Sequence, residues 1–161
     1  MAAYNKFNVF VEDLTNKLHD IFGTGAGADS LRILLTNTSP NVADTVVDTV
    51  DTPCTIEATS MAVELAAGNG YTKKGELVTN NGTRSAGTMT LSGTKVVWTC
   101  ATAAMGPFRY VALYNDAAGA AATRPVIAWW DYGSALTLQV GETFSCKFNN
   151  SDTVGTILAI A

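Results

Sequence analysis

Leu136-Thr137-Leu138-Gln139-Val140, followed across Gly141-Glu142 by Thr143-Phe144-Ser145-Cys146-Lys147-Phe148-Asn149, alternates apolar with polar side chains. In an extended chain successive side chains point to opposite faces, so this period of two marks strands with one buried and one wet face. Gly141-Glu142 reads as the turn between them. Outward from this stretch, residues 95–101, 108–115, 125–130 and 156–161 are further short runs bounded by turn residues. Strands at that spacing predict an all-β sandwich or barrel.

Upstream the same period continues. Leu31-Arg32-Ile33-Leu34-Leu35 ends in the turn-prone Asn37-Thr38-Ser39-Pro40, and the alternation of Cys54, Ile56 and Ala58 with Thr55, Glu57 and Thr59 predicts a strand that runs on to Leu65. Ala67-Gly68-Asn69-Gly70-Tyr71 holds residues that tolerate positive φ and reads as a tight bend. Asn80-Asn81-Gly82 is the strongest hairpin signal, predicted to join 76–79 to a strand over 83–91. Residues 41–51 carry Val42, Val46, Val47 and Val50 at helical spacings although Val and Thr favour strands, and are read as a loop with one irregular turn. Ala-rich 117–122 reads as an exposed loop tip.

One segment has a different period. Tyr4, Phe7, Phe10, Val11, Leu14, Leu18, Ile21 and Phe22 recur every three or four residues, which predicts an amphipathic helix over 5–22 stopped by Gly23. Its apolar stripe is expected to lie across a sheet of its own domain, with docking on a neighbouring subunit as the alternative. Gly23-Thr24-Gly25-Ala26-Gly27 lacks the preceding strand and following helix of a dinucleotide loop, and is read as a connector. The fold expected is thus a mainly β, jelly-roll-like antiparallel β-sandwich over 30–161 with one N-terminal amphipathic helix, in a single domain spanning 1–161.

Composition bounds the function. The chain has 161 residues, 47% of them hydrophobic, enough for a core. Ten Lys+Arg against fourteen Asp+Glu give a net charge of −4, without the basic surface that phosphate backbones attract. Neither nucleic acid nor a membrane is an expected partner, since the apolar runs are short and no signal-peptide layout opens the chain. Cys54, Cys100 and Cys146 are isolated and read as reduced core residues. With a single histidine, His19, placed by the helical pattern on the solvent border, neither a metal site nor a cofactor nor an acyl-transfer triad is expected. Paired carboxylates among Glu57, Glu64, Glu76, Asp131 and Glu142 are the remaining catalytic option, which spacing alone does not place.

Trp129-Trp130-Asp131-Tyr132-Gly133 is the densest aromatic cluster. In a regular strand Trp129 and Trp130 face opposite ways, so one is expected in the core and the other at an edge or a partner contact; a sugar-stacking platform is the alternative.

Taken together, Lys6-Phe7-Asn8-Val9-Phe10-Val11-Glu12-Asp13-Leu14, Leu35-Thr36-Asn37-Thr38, Ala67-Gly68-Asn69-Gly70-Tyr71, Gly106-Pro107-Phe108-Arg109-Tyr110, Leu113-Tyr114-Asn115-Asp116, Trp129-Trp130-Asp131-Tyr132-Gly133 and Gly141-Glu142-Thr143-Phe144 resemble a family of small virion structural proteins of tailed bacteriophages. The glycine-rich segment after the helix and the stretch 41–51 are longer than the family pattern. The resemblance implies a non-enzymatic capsid decoration, or cement, protein made in the host cytoplasm and carried on the capsid surface. Its implied partners are the major capsid protein and further copies of itself as a dimer or trimer. A tail or fibre component and a host-surface carbohydrate-binding module are the alternatives. The candidate interface residues are Phe7, Phe10, Leu14, Trp129 and Trp130, with the loops 37–50 and 117–123 as contact surfaces.

Overall fold

The computed structural model describes residue 2 and residues 4–21 and 29–161. The protein is mainly β, built of antiparallel sheets packed as a sandwich, with one short helix near the N-terminus. In chain order the elements are β1 (Tyr4–Lys6), α1 (Val9–Thr15), β2 (Leu31–Thr36), β3 (Val46–Asp48), β4 (Thr55–Glu57), β5 (Ala62–Val63), β6 (Glu76–Val78) and β7 (Asn80–Ser85). They continue as β8 (Thr88–Thr94), β9 (Val96–Thr99), β10 (Met105–Asn115), β11 (Arg124–Leu138), β12 (Thr143–Cys146), a 3-10 turn over Phe148–Asn150 and β13 (Val154–Ile160).

The largest sheet runs β5-β4-β3-β11-β10-β2-β6, with β1 also paired to β11. It curls until its β5 end returns to β2, where Thr36 and Glu64 form an antiparallel bridge and Leu65 N–H donates to the Leu35 carbonyl at 2.7 Å. The alternation of strand side chains therefore gives this sheet an inside and an outside. Leu34, Ala112, Tyr114 and Val126 meet Val47, Ile56 and Ala62 in one core. Ile33, Leu35, Val111 and Leu113 face the other way, where Phe148 of the 3-10 turn and Leu91, Val96, Trp98 and Ile157 from the remaining strands cover them. Those strands form the sheets β13-β8-β7 and β12-β9.

Several elements depart from the sequence reading. Tyr4–Lys6 pairs with Ala128–Trp130 as a strand, and the helix occupies Val9–Thr15 instead of 5–22. Its end is a two-bond reversal: Lys17, at φ 59, donates to the Leu14 carbonyl, and Leu18 donates to that of Asp13. This satisfies carbonyls that a continued helix would have used. Phe22, the Gly23 stop and the connector 23–27 lie outside the described residues. Val46–Asp48 within 41–51 is a strand, held by β4 and by Arg124 and Pro125, so β-branching outweighs the helical spacing. The single strand read over 54–65 is two, β4 and β5, separated by a turn in which Met61 takes φ 49. The two strands read over 125–130 and 136–140 are one, β11.

Asn80-Asn81-Gly82 is not a turn. Glu76 and Val78 are already paired with Ile33 and Leu31, so the chain changes sheets after Thr79 and Asn81 and Gly82 enter a ladder with Ser92 and Leu91. The hairpin closes at Ala86-Gly87, both with positive φ, 46 and 86. That is the two-residue geometry suited to the twist of antiparallel strands, but with Ala in a left-handed position that disfavours a Cβ. Ala86→Asn, which restores an Asn-Gly turn where the turn is made, is expected to raise unfolding free energy by about 1 kcal/mol in urea titrations; a loss of stability would contradict this placement of the hairpin.

Candidate functional site

Trp129 and Trp130 diverge as the pleat requires. Trp129 packs edge-on to Tyr110, ring centroids 5.9 Å apart, beside the core inside the curled sheet. Trp130 lies on the opposite face with its cross-strand partner Tyr4, rings 5.7 Å apart, and Phe148 at 5.9 Å. Two residues along β11, Tyr132 meets Phe144 edge-on at 5.9 Å, and Phe144 in turn touches Phe108 at 5.0 Å and Trp98 at 5.8 Å. Aromatic pairs of this geometry are favourable beyond their buried area. The rings of Tyr4, Trp130, Tyr132, Phe144 and Phe148 line an open groove of about 550 Å³.

The far wall of the groove is made by the end of β12 and the 3-10 turn. Gly155 permits this approach, since a Cβ there would overlap the Phe148 carbonyl. Asn149 and Asn150 follow with left-handed φ of 47 and 56, a conformation Asn tolerates better than most residues. Lys147 on the same wall is paired with Asp152 at 2.5 Å. Cys146 also lines the groove, and burial pushes its thiol up to about 12, so it stays protonated and unreactive near neutral pH.

A second, more apolar groove of about 490 Å³ lies on the other side of Tyr4, between α1 and β13, and is lined by Phe10, Val11, Leu14, Leu158 and Ile160. Of the five residues read as interface candidates, Phe7 is fully buried inside the curled sheet and Phe10 only 3% exposed in the other core. Both side chains hold this end of the chain to its own domain, and Phe10 also lines the second groove. Leu14 is half-buried against the core, and Trp129 and Trp130 are half-buried on opposite faces. Tyr4, Phe144 and Phe148 join Trp130 in the groove although the sequence pattern marked them only as helix stripe or core.

The titratable groups mostly serve the fold. Glu64 is buried and accepts hydrogen bonds from the Cys54 and Lys74 amides and the Tyr71 hydroxyl. Burial and the Glu64 charge push the Cys54 thiol up to about 12. Asp131 takes both bonds of the Arg109 guanidinium, at 2.7 and 2.8 Å, and lies well below the usual carboxylate range for that reason. Glu142 accepts from the Gln139 amide in its turn. The Asp48, Asp51 and Glu57 carboxylates approach within 4.8 Å, but Asp48 already accepts the Val50 amide and Asp51 the Thr55 hydroxyl.

His19 is buried, not solvent-facing. Because the helix reverses at Lys17, the following chain folds back and places the imidazole 5.3 Å from the Phe10 ring, with Nδ1 3.1 Å from the Asn115 amide nitrogen. Nε2 has no hydrogen-bond partner among the described residues and sits 3.8 Å from Asp13. Burial lowers the His19 pKa to about 4, against a smaller opposing effect of Asp29.

Comparison with models of protein families, with curated proteins and with solved structures finds no match for this chain.

Above pH 6.5 His19 is neutral in both folded and unfolded chains and contributes no pH dependence. As pH falls from 6.5 to about 4 the unfolded chain takes up a proton the folded one refuses, so stability is lost by up to about 3 kcal/mol. Burial raises the Asp13 pKa and works in the opposite direction. The difference in unfolding free energy between His19→Gln and the unaltered protein is therefore expected to shift in favour of the variant across that window. Parallel pH profiles would contradict the burial of the ring.

Proposed function

We propose that the chain is a non-enzymatic structural protein of a bacteriophage virion, a capsid decoration protein seated outside the head on the major capsid protein. The observation that carries this reading is the apolar strip formed by α1 and β13. Val11 and Ile160 are 46% and 43% exposed, and Leu14 and Leu158 are half-buried, all four lining the groove between the two elements. Apolar side chains gathered at one place on a surface mark a contact with another protein. The resemblance to small tailed-phage virion proteins supplies the partner, and its segments fall largely on the central strands β2, β10 and β11 and on β1 and α1.

A decoration protein needs little energy per copy. Copies repeated on a rigid shell, grouped as dimers or trimers, act at high effective concentration, so a small apolar strip suffices where an isolated pair would separate.

Val11→Lys alters the exposed middle of the strip and should change stability by no more than about 0.5 kcal/mol. Its retention on phage heads in co-sedimentation is expected to fall at least tenfold relative to the unaltered chain. Retention equal to the unaltered chain, or no sedimentation of the unaltered chain with heads, would overturn the reading.

A further inference from the structure

The aromatic groove has a chemistry that the apolar strip lacks. Its rings remain partly open, with Tyr4 40% and Tyr132 54% exposed. Around them stand polar groups without a hydrogen bond to the rest of the described chain: the side-chain amides of Asn149 and Asn150 and the hydroxyls of Ser145, Tyr4 and Tyr132. Among the described residues Lys147 is the one cation of the lining, paired with Asp152, and no carboxylate lines the groove.

We propose that this groove binds a short neutral oligosaccharide, whose ring C–H faces lie on the aromatic side chains and whose hydroxyls bond Asn149 and Asn150. The proposal does not rest on the virion reading.

The composition of the lining selects this occupant. An apolar segment seated here would bury two amides without partners, at a cost of about 1–3 kcal/mol for each group left unsatisfied. A charged ligand would find no net charge to meet it. A sugar has both features required, an apolar face and a periphery of hydroxyls that donate and accept, and the volume of about 550 Å³ lies within the range of small-ligand sites. Trp130 and Tyr132, two residues apart on one strand, lie on one face as the adjacent Trp129 cannot.

The test uses the full chain on a surface array of neutral glycans, followed by titration with maltotriose, cellotriose and tri-N-acetylchitotriose read by tryptophan fluorescence. Binding to at least one neutral glycan is expected, and a change in emission on its titration. Tyr132→Ala should weaken that binding tenfold or more. Asn149→Gly with Asn150→Gly keeps the left-handed backbone while removing both amides, and should weaken it comparably. Saturation-transfer spectra of the unaltered chain with the bound trisaccharide should show transfer to ring C–H protons, a readout that needs no variant. Failure of the unaltered chain to bind any neutral glycan, or binding unchanged in both variants at equal melting temperature, would overturn the proposal.

Discussion

The antiparallel ladder between β10 and β11 is the interaction on which the other elements depend. β2 adds to the free edge of β10, while β3 and β1 share the free edge of β11, at Pro125 and at Ala128–Trp130 respectively. Both faces of the ladder are buried, so its alternating side chains divide the interior into two cores. Val126 pairs with Tyr114 and Ala128 with Leu113, so Ile127 is an extra residue; such a bulge turns neighbouring side chains to the same face, and Ile127 and Ala128 indeed share one core. From Asp131 onward β11 leaves its regular register and carries Leu136 and Leu138 over to the second layer. The aromatic groove opens where that departure begins, which is why Trp130 and Tyr132 stand at its floor.

The period of two made much of this legible. Phe144, Cys146 and Phe148 alternate in burial with Ser145 and Lys147, and Leu31–Thr36 and Met105–Asn115 are strands where short apolar runs announced them. The mixed period near the N-terminus was misleading for a physical reason. Phe7 and Phe10 have helical spacing because one enters each core on either side of a strand-to-helix junction, not because a long helix carries both. His19 inherited a solvent position from that helix and lost it when the chain reversed at Lys17. The Asn-Gly dipeptide failed as a turn because β6 was already paired with β2, a long-range constraint that overrides local turn preference.

The groove was legible only in part. Trp130 and Tyr132 are neighbours in sequence, and their shared face follows from the strand. Tyr4, Phe144 and Phe148 arrive from distant segments through the β1–β11 pairing and the close approach at Gly155, neither of which leaves a local pattern. Tyr4 lines both the aromatic groove and the apolar groove, so two surfaces of different chemistry meet at one short strand. The apolar one is the surface proposed to meet a protein shell and the amide-rimmed one the groove proposed to take a sugar, and neither proposal uses the titratable groups that hold loops and strands.

The most direct measurement of the proposed seat on a phage head is electron microscopy of intact phage particles labelled with gold-conjugated antibody against this chain. The account requires many labels distributed over the head. Label confined to the tail, or none on intact particles, would contradict it.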